Sequence, residues 1–112
     1  NLFTKKEFQI MKKNAFIINC ARGGILNEVD LYEALLNEKI AGAGLDVFDV
    51  EPTPSSNLLF KLKNVILSPH IAGVTVESTV RMATETVQNV LDVFDNKVNK
   101  SVVVNLKEIG MK

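Results

Sequence analysis

The 112-residue sequence holds a single histidine, His70, and a single cysteine, Cys20. Histidine is the one side chain whose ordinary pKa lies near neutrality, so His70 is the natural proton donor and acceptor of this chain. A carboxylate beside an imidazole orients the ring and favours its charged form, and Glu51 is the candidate for that part. Arg22 offers a planar fork that grips a carboxylate with two hydrogen bonds and polarises a neighbouring carbonyl oxygen. Together these three side chains suit proton transfer on a small anionic hydroxy or keto acid. Each also has a plainer reading. Arg22 could be a surface ion pair or hold a turn, Glu51 could be a solvated charge, and His70 a hydrogen-bonded structural residue. Asp46 could simply satisfy nearby backbone amides, and Cys20 reads as a small buried hydrophobe at a strand end. One Cys with one His cannot build a four-ligand zinc site without carboxylates, so no metal is expected.

What would bring these residues together is the order of the elements. Thr4 to Met11 predicts a short helix, with Thr4 as N-cap, Glu7 as its capping-box partner and Phe8 with Met11 as the apolar face. Lys12, Lys13 and Asn14 end it, the two cations facing the negative end of the helix dipole. Residues 15–19, 42–48 and 65–68 are short apolar runs that suit strands buried on both faces. Between the first two, Asn27 and Asp30 open a helix with Leu31, Ala34, Leu35 and Ile40 at helical spacing. Residues 49–57, with Pro52 and Pro54, read as a loop. From about Thr75 to Asp95 a long amphipathic helix is expected, with Val80, Ala83, Val87, Val90, Leu91 and Phe94 on one stripe. That stripe, like Leu31 and Leu35, reads as core or subunit packing. Val102 to Asn105 would be a strand or an extended return segment.

Helices alternating with buried strands predict an α/β fold with a parallel sheet covered by helices. Ligands of such sheets sit outside the carboxyl ends of the strands. The first run empties into Cys20-Ala21-Arg22-Gly23-Gly24, the second into Asp46, Asp49 and Glu51, and the third into Ser68-Pro69-His70. The arginine, the carboxylates and the histidine therefore converge on one sheet edge.

Thirteen basic and thirteen acidic side chains give a formal net charge of zero, which argues against nucleic acid and anionic membrane surfaces as partners. No apolar run reaches the ~20 residues of a membrane span. The lone cysteine excludes an intrachain disulfide and points to a reducing, cytoplasmic setting. The length suits one folding unit. Yet the chain opens at Asn1 without a starting Met, so a piece of something longer is to be considered.

Four stretches in order carry a resemblance: Asn14 to Glu28 (NAFIINCARGGILNE), Ile40 to Phe48 (IAGAGLDVF), Glu51-Pro52, and Leu67 to Gly73 (LSPHIAG). They resemble the D-isomer-specific 2-hydroxyacid dehydrogenases, and within them the D-3-phosphoglycerate dehydrogenase branch. The resemblance implies hydride transfer between NAD, less readily NADP, and a D-2-hydroxy acid such as 3-phosphoglycerate. Other enzymes of the same family, reducing glyoxylate, hydroxypyruvate or another 2-keto acid, are the alternative. By position, Arg22 would bind substrate, Glu51 orient the histidine and His70 act as general acid/base. Cys20, Ala21, Asp46, His70, Ile71, Ala72 and Gly73 would line the nicotinamide side.

The family's G-x-G-x-x-G turn, which seats the cofactor pyrophosphate on a helix N-terminus, has no counterpart here: Gly42-Ala43-Gly44 lacks the third glycine and a following helix. The expectation is therefore the second half of a Rossmann-like NAD-binding domain over residues 1–96, with a return segment toward a substrate domain over 97–112. Such a piece alone would hold half a cofactor cleft and turn nothing over. The whole protein would work as a homodimer or higher homo-oligomer on a small-molecule substrate. A non-catalytic oligomerising or nucleotide-sensing role is the reading from another class.

Overall fold

The computed structural model describes residues 1–110. The chain divides into two compact units, Asn1–Ala72 and Gly73–Lys112. In the first, helix α1 (Lys5–Ile10) begins at Thr4, whose backbone N–H and hydroxyl both donate to Glu7 Oε2 at 2.7 Å. It ends at Ile10 with Met11 already extended, so Lys12 and Lys13 lie past the last turn and do not face the helix dipole as expected. Helix α2 (Glu28–Leu36) is capped by Asn27, whose Oδ1 accepts the Asp30 N–H at 3.0 Å. This satisfies one of the first-turn donors that a helix cannot satisfy internally.

Strands β1 (Phe16–Asn19), β2 (Gly42–Leu45) and β3 (Val65–Leu67) form a parallel sheet in the order β1-β2-β3. Ile18 stands opposite Gly44, which stands opposite Ile66. Side chains alternate across a strand, so Ile17, Ala43, Leu45, Val65 and Leu67 share the other face. There they join Phe8, Leu31, Leu35 and Ile40 in the core. Full burial of a Leu, Ile or Phe side chain contributes roughly 1.5–3 kcal/mol each, and five large side chains of this unit reach it.

Burial of every strand on both faces is not what the structure has. Phe16 is 71%, Ile18 74% and Ile66 79% exposed. The apolar runs were right for the sequence of a buried parallel sheet, but α1, α2 and the turn around Leu59 all pack on the same face of it. Two strand ends also fall earlier than expected, β2 at Leu45 and β3 at Leu67. The loop after β2 closes with a 3-10 turn, Leu58–Lys61, that periodicity did not reveal; it is nucleated by Asn57, whose Oδ1 accepts the Leu59 N–H at 3.0 Å, and it buries Leu59.

In the second unit, helix α3 (Val76–Phe94) starts at Thr75, whose Oγ1 accepts the Ser78 N–H at 3.0 Å. Its stripe of Val80, Val87, Val90, Leu91 and Phe94 is exposed, so it makes no core within this unit. No strand forms over Val102 to Asn105. A 3-10 turn, Lys100–Val102, takes its place under a cap from Asn99, and turns follow to residue 110. A local cap is available there, and among the described residues no strand pairs with this segment. Among the described residues no helix is long and apolar enough to cross a membrane.

Candidate active site

The carboxyl end of each strand in the first unit delivers one part of the site. After β2, the buried Asp46 pins the segment that follows β3. Its carbonyl accepts the His70 N–H at 2.8 Å. Its Oδ1 accepts the Ser68 hydroxyl at 2.6 Å and the Ile71 N–H at 2.8 Å, and its Oδ2 accepts the Ala72 N–H at 2.9 Å. Four bonds from one residue thus shape residues 68–72 and hold His70 at a left-handed φ of 55°, a conformation a non-glycine residue keeps only where its surroundings impose it.

The ring so placed meets Glu51. Oε2 lies 2.7 Å from His70 Nδ1 while Oε1 accepts the Phe48 N–H at 2.9 Å, so the loop's own backbone aims the carboxylate. The His70 side chain is 47% exposed and that of Glu51 35%, which leaves the rest of the ring open to a substrate. Beside the pair runs a groove of about 660 Å³ whose walls are largely apolar, with Phe48, Pro52, Phe60, Leu67 and Pro69 flanking His70.

The electrostatics follow from these bonds. The His70 hydrogen bond, and then the Phe48 amide, hold the Glu51 carboxyl below its ordinary 4.5 against the opposing effect of burial. The Ser68 hydroxyl foremost, with the Ala72 and Ile71 amides, lowers the Asp46 carboxyl from 3.8. A folded-state pKa below the unfolded one adds stability that is complete above the unfolded value and is lost as pH falls through the folded one. Thermal unfolding midpoints should therefore hold steady from about pH 7 to 5 and drop below about pH 4. Asp46→Asn should flatten that acid limb, and a wild-type midpoint that rose on acidification would contradict the pairing.

Arg22 stands at the end of β1, exposed, with Nη1 donating to the Ala21 carbonyl at 2.6 Å. No carboxylate pairs with it among the described residues. The turn it sits on is held by Asn19, which is buried and bonds the Arg22 carbonyl and the Ala21 N–H. Cys20 and Ala21 are exposed on the same turn. Cys20 is thus not the buried hydrophobe of its plainer reading. Gly73 belongs to the second unit. No cluster of His, Cys, Asp and Glu able to hold a metal occurs among the described residues.

Three positioning features escaped the sequence. Ser68 is the hydroxyl partner of Asp46. Gly23 lets the β1–α2 turn press against the carbonyl of Phe48, where a Cβ would lie 1.9 Å from that oxygen. Glu28 and Asp49 tie the β2–β3 loop to α2 and to Gly24. None had a readable signal, because each partner lies 21 to 25 residues away with no periodicity between them; the glycine pair was visible only as a turn.

Known proteins resemble this chain in sequence and in fold. The family profile described as "D-isomer specific 2-hydroxyacid dehydrogenase, NAD binding domain" matches residues 1–72. Glyoxylate/hydroxypyruvate reductase B of Enterobacter sp. (strain 638) is 41% identical over 103 residues, covering 92% of this chain and 32% of that protein. D-3-phosphoglycerate dehydrogenase of Methanocaldococcus jannaschii is also 41% identical over 103 residues, covering 92% of this chain and 20% of its own. Among solved structures, the NAD-complexed D-isomer specific 2-hydroxyacid dehydrogenase of Lactobacillus delbrueckii ssp. bulgaricus superposes with a TM-score of 0.82 at 32% identity, over 92% of this chain and 35% of that one. The chain thus spans about a third or less of the length of these proteins.

Proposed function

The chain belongs to the D-isomer specific 2-hydroxyacid dehydrogenase family through its NAD-binding domain, and from that premise we propose that it carries the proton-transfer half of a dehydrogenase acting on a D-2-hydroxy or 2-keto acid. The observation that carries the reading is the Glu51–His70 pair at 2.7 Å, set one strand end away from the turn that bears Arg22.

An ionised carboxylate can only accept, so Glu51 keeps the proton of the neutral ring on Nδ1 and leaves Nε2 to exchange one with substrate. In reduction, His70 enters as the imidazolium and gives its Nε2 proton to the developing alkoxide, leaving the neutral ring; in oxidation the neutral ring takes the hydroxyl proton on Nε2. Glu51 then stabilises the imidazolium. Arg22 binds the substrate carboxylate through two N–H groups and polarises the adjacent carbonyl. The groove beside the pair offers the substrate a largely apolar wall.

The residues suit the nicotinamide end of the cofactor. Asp46 uses three of its four side-chain acceptor sites within the protein and keeps one on Oδ2 for a carboxamide N–H. Cys20, Ala21, Ile71 and Ala72 complete that wall, and Gly73 follows them in the chain. Bound NAD supplies or receives the hydride. The pyrophosphate end has no glycine-rich turn to receive it in these 112 residues. The activity therefore belongs to a polypeptide of the relatives' length, in which residues 1–96 finish the NAD-binding domain and 97–112 lead back to a substrate domain. A second copy of the protein is the proposed partner, since the apolar stripe of α3 is uncovered within its own unit.

For the substrate, a short 2-keto acid such as glyoxylate or hydroxypyruvate is the better reading than 3-phosphoglycerate. Arg22 is the one arginine or lysine at these three strand ends, and it matches the single carboxylate of such an acid. Assay of the whole protein with NADH across glyoxylate, hydroxypyruvate and phosphohydroxypyruvate decides it. Arg22→Ala should raise KM for the preferred acid about 10- to 100-fold, the loss of a charged bidentate contact, and the isolated 112 residues should show no turnover. Preference for the phosphorylated acid would restore the phosphoglycerate assignment, and an Arg22→Ala enzyme with unchanged KM would remove Arg22 from substrate binding.

A further inference from the structure

The loop between β2 and β3 carries Glu51, and it is gripped from outside the site by one side chain. Glu28, the first residue of α2, accepts the Asp49 N–H on Oε1 at 2.7 Å and Asn57 Nδ2 on Oε2 at 2.8 Å. Asp49 and Asn57 are the two ends of the loop, and Glu51 lies two residues beyond Asp49. At the same end Asp49 Oδ1 accepts the Gly24 N–H at 2.6 Å. At the other, Asn57 starts the 3-10 turn through Leu59 and donates its N–H to Pro54 at 2.9 Å. Glu28 makes no bond to a cation among the described residues. Its carboxylate sits in the first turn of α2, where the helix dipole favours negative charge.

A half-exposed ion pair such as Glu51 with His70 is weakly self-supporting, since solvent competes for both partners. Its geometry then depends on how firmly the backbone presents Glu51. We infer that Glu28 is a positioning residue: by holding both ends of the 49–57 loop it keeps Glu51 against His70 Nδ1, and so sets which ring nitrogen carries the proton. The inference rests on the reading of His70 as the acid/base only for its consequence in turnover; the tautomer itself is a structural quantity.

The test uses Glu28→Ala in the whole protein, with ¹⁵N NMR of the His70 ring identified by its absence in His70→Asn. Asp30→Ala is the control. Asp30 lies in the same turn of α2 but bonds the Lys5 N–H, away from the loop. Wild type should populate the Nδ1–H tautomer. Glu28→Ala should shift the ring toward Nε2–H and lower kcat about 10- to 100-fold, as misplacement of a reacting group does, with KM for the keto acid changed less than about twofold. Asp30→Ala should lower the melting temperature without moving the tautomer. Asn57→Ala removes the second arm together with the Asn57 cap on the Leu59 N–H, leaves the Asp49 arm in place, and should give a smaller shift of the same sign, which keeps the test decisive if Glu28→Ala does not fold. A wild-type tautomer in folded Glu28→Ala, or an equal shift in Asp30→Ala, would overturn the inference. A tautomer shift with unchanged kcat would uphold the positioning and count instead against His70 as the acid/base.

Discussion

Replacing His70 with asparagine should lower turnover by about a thousandfold, within the 10²–10⁴ that a positioned general acid/base contributes. Asparagine is the informative choice because His70 sits at φ 55°, a left-handed conformation that Asn tolerates better than other non-glycine residues. The substitution therefore removes the imidazole while keeping the turn that Asp46 shapes through its four bonds to residues 68–72. Asn has no group that titrates near neutrality, so the proton on the substrate oxygen must come from water. Binding of NADH, which does not depend on that proton, should change by less than about threefold, or ~0.6 kcal/mol. Steady-state kcat with fluorescence titration of NADH separates the two effects. Near-normal turnover in the variant would remove the acid/base role and leave Glu51 and His70 as a surface pair of modest worth.

The largest loss of stability should come from Gly23→Ala. A Cβ at this position would lie 1.9 Å from the Phe48 carbonyl oxygen and 2.4 Å from its carbon. Both atoms are main chain, so no rotamer can relieve the overlap and the β1–α2 turn must retreat from the β2–β3 loop. Retreat breaks the 2.6 Å bond from the Gly24 N–H to Asp49 and disturbs Phe48, whose N–H holds Glu51. A cost of about 3 kcal/mol or more is expected, the range reached when a close backbone approach is blocked. Gly44→Ala is the reference: its added Cβ meets only the Ile18 side chain at 3.6 Å, an ordinary contact, and should change stability by about 1 kcal/mol or less. Urea unfolding of both variants makes the comparison. Similar midpoints for the two would mean that the turn yields freely and that Gly23 is only a turn residue. The same variant should also lose turnover in the whole protein, because the turn it displaces bears Arg22.

Much of the fold was open to sequence reasoning because the signals were local. Asn27 three residues before Asp30 and Thr4 before Glu7 name two helix starts, and the structure has caps at both. Apolar runs named three strands, and the rule that ligands gather at strand carboxyl ends placed Arg22, Asp46, Glu51 and His70 on one edge. Where reading failed, a non-local fact was in command. Phe16, Ile18 and Ile66 are as apolar as buried residues, but whether a strand face is covered depends on where other elements pack. The valines at 102–104 have strand propensity, but among the described residues no strand pairs with them, and a cap from Asn99 prevails.

By itself, then, the sequence determined the α/β pattern, the parallel order of chemistry-bearing strand ends and the family, since each is written in residue types and short spacings. Only the tertiary structure decided which groups touch. It drew Glu51 to His70 across 19 residues, turned Asp46 onto the amides of Ile71 and Ala72, and set Glu28 beneath the loop from 21 and 29 residues away. A hydrogen bond reaches about 3 Å, and at such separations along the chain no periodicity records which donor will meet which acceptor. That choice is made when β1, β2 and β3 come into register and bring their following turns side by side.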